Sequence, residues 1–434
     1  MRSLVFLAAL PGTSWSPGAL EAPSTAAPSP SSLSFAPVAP HPEELPEKVD
    51  AAPAPVGVNA PAAGESPGGP SVDLKHSPGV TFNGYAEAFY QWNFNAPSNG
   101  VTHYRGFDNR HNSFTLSNVA IGAALDDDAL LGRVTLQVGH TPSTYYLSEP
   151  FAPGAGGTNG SNADLWKYLQ QAYGGYRWKA LGGLSVTAGL FLSAIGPESM
   201  AVHENWNWSR SNLFFGLPFY HTGVRLSYAL SEVWSATIAV HNGWNSVVDN
   251  NPAKSVSGQL VYTCPKVVAS MLYFGGIERP LGAPEGPAWR HLVDAHVTWH
   301  LVPWLSLLAH GNAGAEVNRF GVSSWAASAL STRFRLAPSV FVTTRGDAFF
   351  EQVATNALGR ATPLFWPAPW VASATGTLDV RPHARTSFRL EYRHDEAGAD
   401  MFFGGDVAGD GGTTPFAVNR SKQDTLTAGL TAWF

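Results

Sequence analysis

The chain of 434 residues contains a single cysteine, Cys264. One thiol can close neither an internal disulfide nor a cysteine metal cage, so Cys264, in YTCPKV, reads as a small residue in a turn. Charge is also scarce. Asp, Glu, Lys and Arg make up 13% of the chain, against about a quarter in ordinary soluble proteins. The net charge of −6 is mild, and no basic strip with interleaved aromatics marks a nucleic-acid surface. No apolar run is long enough for a helix to cross a bilayer, which takes about 18 residues or more. Serine contexts in the strand-rich part, such as LSEP at 147–150, lack the Gly-x-Ser-x-Gly elbow of a nucleophile.

What the chain does have is aromatic residues (12%) and 44 glycines. Its start, MRSLVFLAAL, places Arg2 before an apolar run and predicts a secretory signal over 1–27, with cleavage near Ala22 or Ala27. From 28 to 78 the sequence is largely Ala, Pro, Ser, Gly and Glu. Such a stretch cannot bury enough apolar surface to offset the entropy of ordering, so it predicts a flexible periplasmic tether.

From Val80 onward, segments of about ten residues alternate apolar with polar or small, as strands with two different faces do. In LVDAHVTWH, Val293, Ala295, Val297 and Trp299 oppose Asp294, His296, Thr298 and His300. About sixteen such segments start near Val80, Ser113, Arg133, Gln170, Leu184, His221, Trp234, Ser255, Val267, Leu292, Trp304, Trp325, Ser339, Val371, Ala384 and Lys422. In the second, the apolar face switches between Leu116 and Val119, which a β-bulge would accommodate.

Short connections such as DDDALLG, KALGG, VP and RPH alternate with long ones near 94–112, 141–168, 193–220, 243–254, 275–290, 312–323, 350–369 and 396–420. That alternation is expected of an all-β transmembrane antiparallel barrel, with short periplasmic turns and long extracellular loops. The ending, QDTLTAGLTAWF, continues the alternation to Phe434. A sheet in a bilayer must close on itself to pair its backbone, so this strand is expected to join the first, making 79–434 one barrel.

Several stretches resemble the OmpL-like β-barrel porin family of Gram-negative bacteria. They are NGYAEAFYQWNFN (83–95), RGFDNRHNSFTLSNVAI (105–121), NWNWSRSNLFFGLPFYHTGVRLSY (205–228), HNGWN (241–245) and LEYRHD (390–395). The resemblance covers roughly Val80 to Phe434. It implies an outer-membrane location, contact with outer-membrane lipids, insertion by the barrel-assembly machinery and a channel for small hydrophilic solutes; by analogy with sixteen-stranded porins it suggests a homotrimer. It implies no cofactor, metal or catalysis. Where a basic residue is expected after the glycine of the fifth strand, this chain has Leu190.

If apolar positions face lipid, the inward basic candidates are Arg133, Arg177, Arg225, Arg333, Arg335, Arg345, Arg385, Arg389 and Arg393, and the inward acids are Glu87, Asp294, Asp347, Asp379 and Glu391. A net-basic wall would mildly favour anions, unless Arg and Glu on adjacent strands pair off. In sixteen-stranded porins the third outer loop folds into the lumen. By that analogy Glu198, Glu204 and Arg210 are expected at a constriction, with Trp206 and Trp208 offering a flat apolar surface to a solute. His296 and His300 share a face, but four strand residues separate them by about 13 Å, too far to hold one ion. Asp126, Asp127 and Asp128 read as a solvated turn rather than a calcium site. The expectation is a channel for passive diffusion; the competing reading is a non-conducting barrel serving as adhesin or anchor.

Overall fold

The computed structural model describes residues 79–152, 154 and 159–434; the signal and tether expected over 1–27 and 28–78 lie outside the described residues. Sixteen antiparallel strands close into a barrel. They are β1 (Val80–Asn93), β2 (Ser113–Asp126), β3 (Leu130–Val138), β4 (Leu169–Trp178), β5 (Leu184–Leu192), β6 (Tyr220–Ala229), β7 (Trp234–His241), β8 (Ser255–Cys264), β9 (Val267–Ile277), β10 (Trp289–Val302), β11 (Leu305–Asn318), β12 (Gly321–Ala337), β13 (Val340–Gln352), β16 (Trp370–His383), β17 (Thr386–Ala397) and β18 (Lys422–Trp433). Between β13 and β16, β14 (Thr355–Asn356) and β15 (Gly359–Arg360) form a small hairpin outside the barrel. Another turn in the last long loop closes when the Asp410 and Gly411 N–H groups donate to the Thr414 carbonyl.

Each barrel strand pairs with its neighbours in sequence, and β1 closes the ring on β18 from Tyr85 opposite Trp433 to Asn93 opposite Thr425. The last residue takes part: Phe434 N–H donates to the Gly84 carbonyl at 3.0 Å, and Gly84 N–H to the Phe434 carbonyl at 3.3 Å. Glycine is required at 84, because a Cβ there would lie 2.7 Å from the Phe434 ring. The irregularity expected in β2 is present. Glu87 faces Asn118 and Ala88 faces Leu116, so Ser117 is the extra residue of a bulge.

The faces of each strand are inverted relative to a soluble protein. On β10, Val293, Val297 and Trp299 are 43, 37 and 48% exposed, whereas Asp294, His296 and Thr298 between them are 2 to 5% exposed. A soluble sandwich would bury the first set; a barrel in lipid turns it outward and keeps polar groups inside. Aromatic side chains collect at both rims. Trp178, Trp234 and Trp304 are exposed near the short turns, and Trp92, Phe114 and Trp289 near the long loops, as interfacial girdles are.

Candidate pore constriction

The third long loop, between β5 and β6, runs inside the barrel. Its residues bond to inward groups on β1, β10, β13, β16 and β17, which lie on different sides of the ring. Such a segment carries backbone N–H and C=O groups with no ladder to pair them. Where water is excluded, each group left unpaired costs about 1–3 kcal/mol, and the wall supplies the partners by charge sign.

Carboxylates take the N–H groups. Glu87 accepts from Val202 (2.5 Å), Glu391 from Trp208 (2.6 Å) and Ser209 (2.9 Å), and Asp347 from Asn212 (3.0 Å). Across the lumen Asp294 accepts from Gly196 (3.1 Å) and bonds the His310 ring at 2.7 Å. Guanidinium groups take the carbonyls. Arg389 donates to Val202, Asn207 and Asn205 at 2.7 to 2.9 Å, Arg393 to Arg210 (2.5 Å), and Arg345 to Ser209 (2.7 Å) and the Glu198 carboxylate (3.0 Å). Arg210 points back into its own loop, donating to the carbonyls of Ser199, Trp208 and Met200. Bonds to charged partners are about twice as strong as neutral ones, so the loop is held along its length.

The remaining candidates divide by depth. Arg333 pairs with Asp379 at 3.2 Å, which also holds Arg381 at 2.9 Å. Arg177 pairs with Asp126 and Lys179 with Asp128 beside a short turn, so two of the three aspartates there are matched by cations. Arg335, next to a short turn, donates to the Pro338 carbonyl, and Arg385 sits in the turn between β16 and β17. Arg225 lies 3.7 Å from the centre of the Phe191 ring. Trp206 and Trp208 are buried. Trp208 packs against Phe89 with ring centres 6.0 Å apart, and a Cβ on Gly429 would stand 2.3 Å from it, so this ring lies against the wall rather than facing a solute. Alternation in a sequence assigns a side chain to a face; it does not reveal that the partner of that side chain is a loop carbonyl.

The outer half of the lumen is filled differently. Leu272, Phe274, Leu292, Trp325 and Phe349 point inward and pack with Leu213 and Leu217 of the third loop and with Trp366, Met401 and Phe402 of later loops. Sequence reasoning missed this apolar plug. The signal was present: Leu292 and Phe349 share the inward register of Asp294 and Asp347, two residues nearer the outer rim. Leu190, where a basic residue was expected, belongs to a second buried cluster with Phe107, Tyr145, Tyr146 and Phe214. Beside it Glu149, in the second long loop, accepts from Tyr220 Oη (2.8 Å) and from the Val247 and Val248 N–H groups, and burial pushes its carboxyl above the usual range.

Open space remains on the sides of the third loop away from its ladder. A cavity of about 230 Å³ lies against β1–β5, from Asn83 near the short-turn end of β1 to Leu192 at the long-loop end of β5, with Tyr85, Arg133, Thr135 and Gln171 on the wall side. A narrower one of about 40 Å³ lies between the loop and β10–β12, with His296, His310 and Ser331 on the wall side. Glu198 and Glu204 line both.

A closed sixteen-strand barrel with an apolar exterior, a polar lining and an inserted third loop defines an outer-membrane β-barrel of the porin class. The profile of the family described as "Putative beta-barrel porin-2, OmpL-like" matches residues 79–434. The chain belongs to this family. Solved structures with the same fold include outer-membrane expressed OmpT of Vibrio cholerae (9% identity, 83% of this chain and 99% of that one, TM-score 0.51). An anion-selective porin from Comamonas acidovorans is 10% identical over 82% of this chain and 99% of that one (TM-score 0.50). OprB of Pseudomonas putida is 12% identical over 82% and 94% of the two chains (TM-score 0.50). A search of curated proteins finds no match in sequence.

Proposed function

We propose that the barrel is a narrow, non-catalytic diffusion channel for small hydrophilic solutes. The observation that carries this reading is the third loop, held to several strands of the wall by bonds of both charge signs with polar-lined space left beside it. A permanently held constriction limits solute size without moving. The arginines of β13 and β17 are bonded to the loop and to carboxylates, so any anion preference rests on Arg133, Arg225 and Arg335, which have no ion pair among the described residues, and is weak. Single-channel recording in planar bilayers tests this: small, steady current steps with a salt-gradient potential near zero are expected.

The apolar plug in the outer half favours a second reading, a barrel that does not conduct and serves as anchor or adhesin. Absence of current steps from correctly folded protein would establish that reading in place of the first. Insertion by the barrel-assembly machinery through the closing strand and association into trimers complete the proposal. Support comes from the backbone pairing of Phe434 and from a solved trimer form of OmpT of Vibrio cholerae with the same fold. Cross-linking in intact membranes reads the oligomeric state.

A further inference from the structure

Arg133 and Glu204 face the same cavity from opposite sides, one from β3 and the other from the third loop. They are near enough for Arg133 to act on the Glu204 carboxylate, yet they form no ion pair. The other cation acting on Glu204 is Arg210, whose guanidinium is taken up by three loop carbonyls. Arg133 itself has no hydrogen-bonded or ion-paired partner among the described residues. A cation and an anion are thus held apart across one cavity, whereas Arg333, Arg345, Arg389 and Arg393 each have a carboxylate partner.

The surrounding groups sort by the charge they suit. The Tyr85 hydroxyl accepts from Asn118 (3.0 Å) and Gln170 (2.9 Å), which leaves its own proton free to donate into the cavity. Arg133 and Tyr85 therefore offer donors to a carboxylate, while Glu204 offers an acceptor to an ammonium group. Trp433, Phe214 and Phe219 supply an apolar side. The volume of about 230 Å³ equals roughly eight waters at about 30 Å³ each, enough for a solute of amino-acid size.

We propose that this cavity is a binding site for a small zwitterion of the α-amino-acid class, its carboxylate on Arg133 and Tyr85 and its ammonium on Glu204. The site sits between the third loop and the β1–β5 wall and retains such solutes over purely anionic or cationic ones. The proposal deepens the channel reading, since it names the solute class that the lumen favours.

The test uses purified full-length protein in detergent at pH 7 and three probes of one shape: L-leucine (zwitterion), 4-methylpentanoate (anion) and L-leucinamide (cation). Calorimetry or ligand-observed NMR should show leucine binding at least tenfold more tightly than either analogue. Arg133→Gln should abolish the preference for leucine over the amide, and Glu204→Gln the preference over the anion. Arg133→Lys should keep part of both. Gly122→Val alters no charge, but its new Cβ would stand 2.8 Å from Thr135 Oγ1 and 2.6 Å from Asn83 Oδ1, so it should weaken all three probes together. Equal affinity for the three probes, or leucine binding untouched by both charge-removing variants, overturns the site. Separate bilayer recordings keep the two proposals apart. Current steps without leucine binding sink the zwitterion site alone, whereas charge-dependent leucine binding without current upholds the site and sinks the channel.

Discussion

Two stretches of the barrel wall carry arginines in the same inward register and use them in opposite ways. On β13 and β17, Arg345, Arg389 and Arg393 are buried against the third loop, and each donates to its carbonyls. On β3 and β6, Arg133 borders open space and Arg225 lies on an aromatic ring. The residue type is the same; the distance to the loop differs. An inward charge is thus used to hold the loop or left to other contacts according to whether loop backbone reaches it.

The sharpest way to break this contrast is to remove the acceptor that holds two consecutive loop N–H groups. Glu391→Ala should release the Trp208–Ser209 stretch, lower the thermal midpoint of the folded barrel and raise unit conductance, since each bond to a charged partner contributes about 1.5–3 kcal/mol. Arg389→Glu combined with Arg393→Glu should act the same way, with a larger change in conductance than in reversal potential. A shifted potential at unchanged conductance would instead place those two side chains in the solute's path.

The lipid-facing side provides a reference of intermediate size. Val293→Arg, between the two aromatic rims on β10, should cost about 2–4 kcal/mol in equilibrium unfolding from bilayers, and a value near zero would show that this face does not meet hydrocarbon. A smaller effect is expected for Arg177→Ala. Its pair with Asp126 sits half in water near a turn, where such pairs contribute about 0–1 kcal/mol. Comparing Arg177→Ala with Arg389→Ala by thermal melting measures how far burial against the loop separates two arginines of like register.

The smallest expected effect is a pH dependence among the outer loops. Burial raises the Glu149 carboxyl above its ordinary value, so the folded loop holds the proton more tightly than the unfolded chain does. Its contribution is complete below the ordinary carboxylate pKa of about 4.3 and fades as pH rises through the raised value. Hydrogen exchange at Val247 and Val248 should therefore be slower at low pH once corrected for intrinsic rates, and Glu149→Gln should remove the dependence.

The strands were legible in the sequence because two solvents write them. Hydrocarbon outside and water or polar groups within force strict alternation, and starts expected at Ser113, Leu184, Trp234, Ser255, Val267 and Lys422 coincide with those observed. Legibility fails where a third environment enters. Leu292 and Trp325 break the inward polar register because they meet the apolar underside of loops, so they read at first as strand starts. The ladder of Glu87, Glu391 and Arg389 was visible as inward charge, but its partners are backbone atoms of Val202, Asn207 and Trp208, which no side-chain pattern encodes. Arg133 and Glu204 could be named from sequence, whereas their shared cavity is a product of the loop's path.

The clamped stretch from Asn205 to Ser209 contains no ionisable side chain, although its backbone is gripped by residues of both signs. A transmembrane voltage exerts force on net charge, so it has little to pull on there. Under bias this part of the constriction should stay where it is, and any voltage-induced closure would originate in other segments of the molecule.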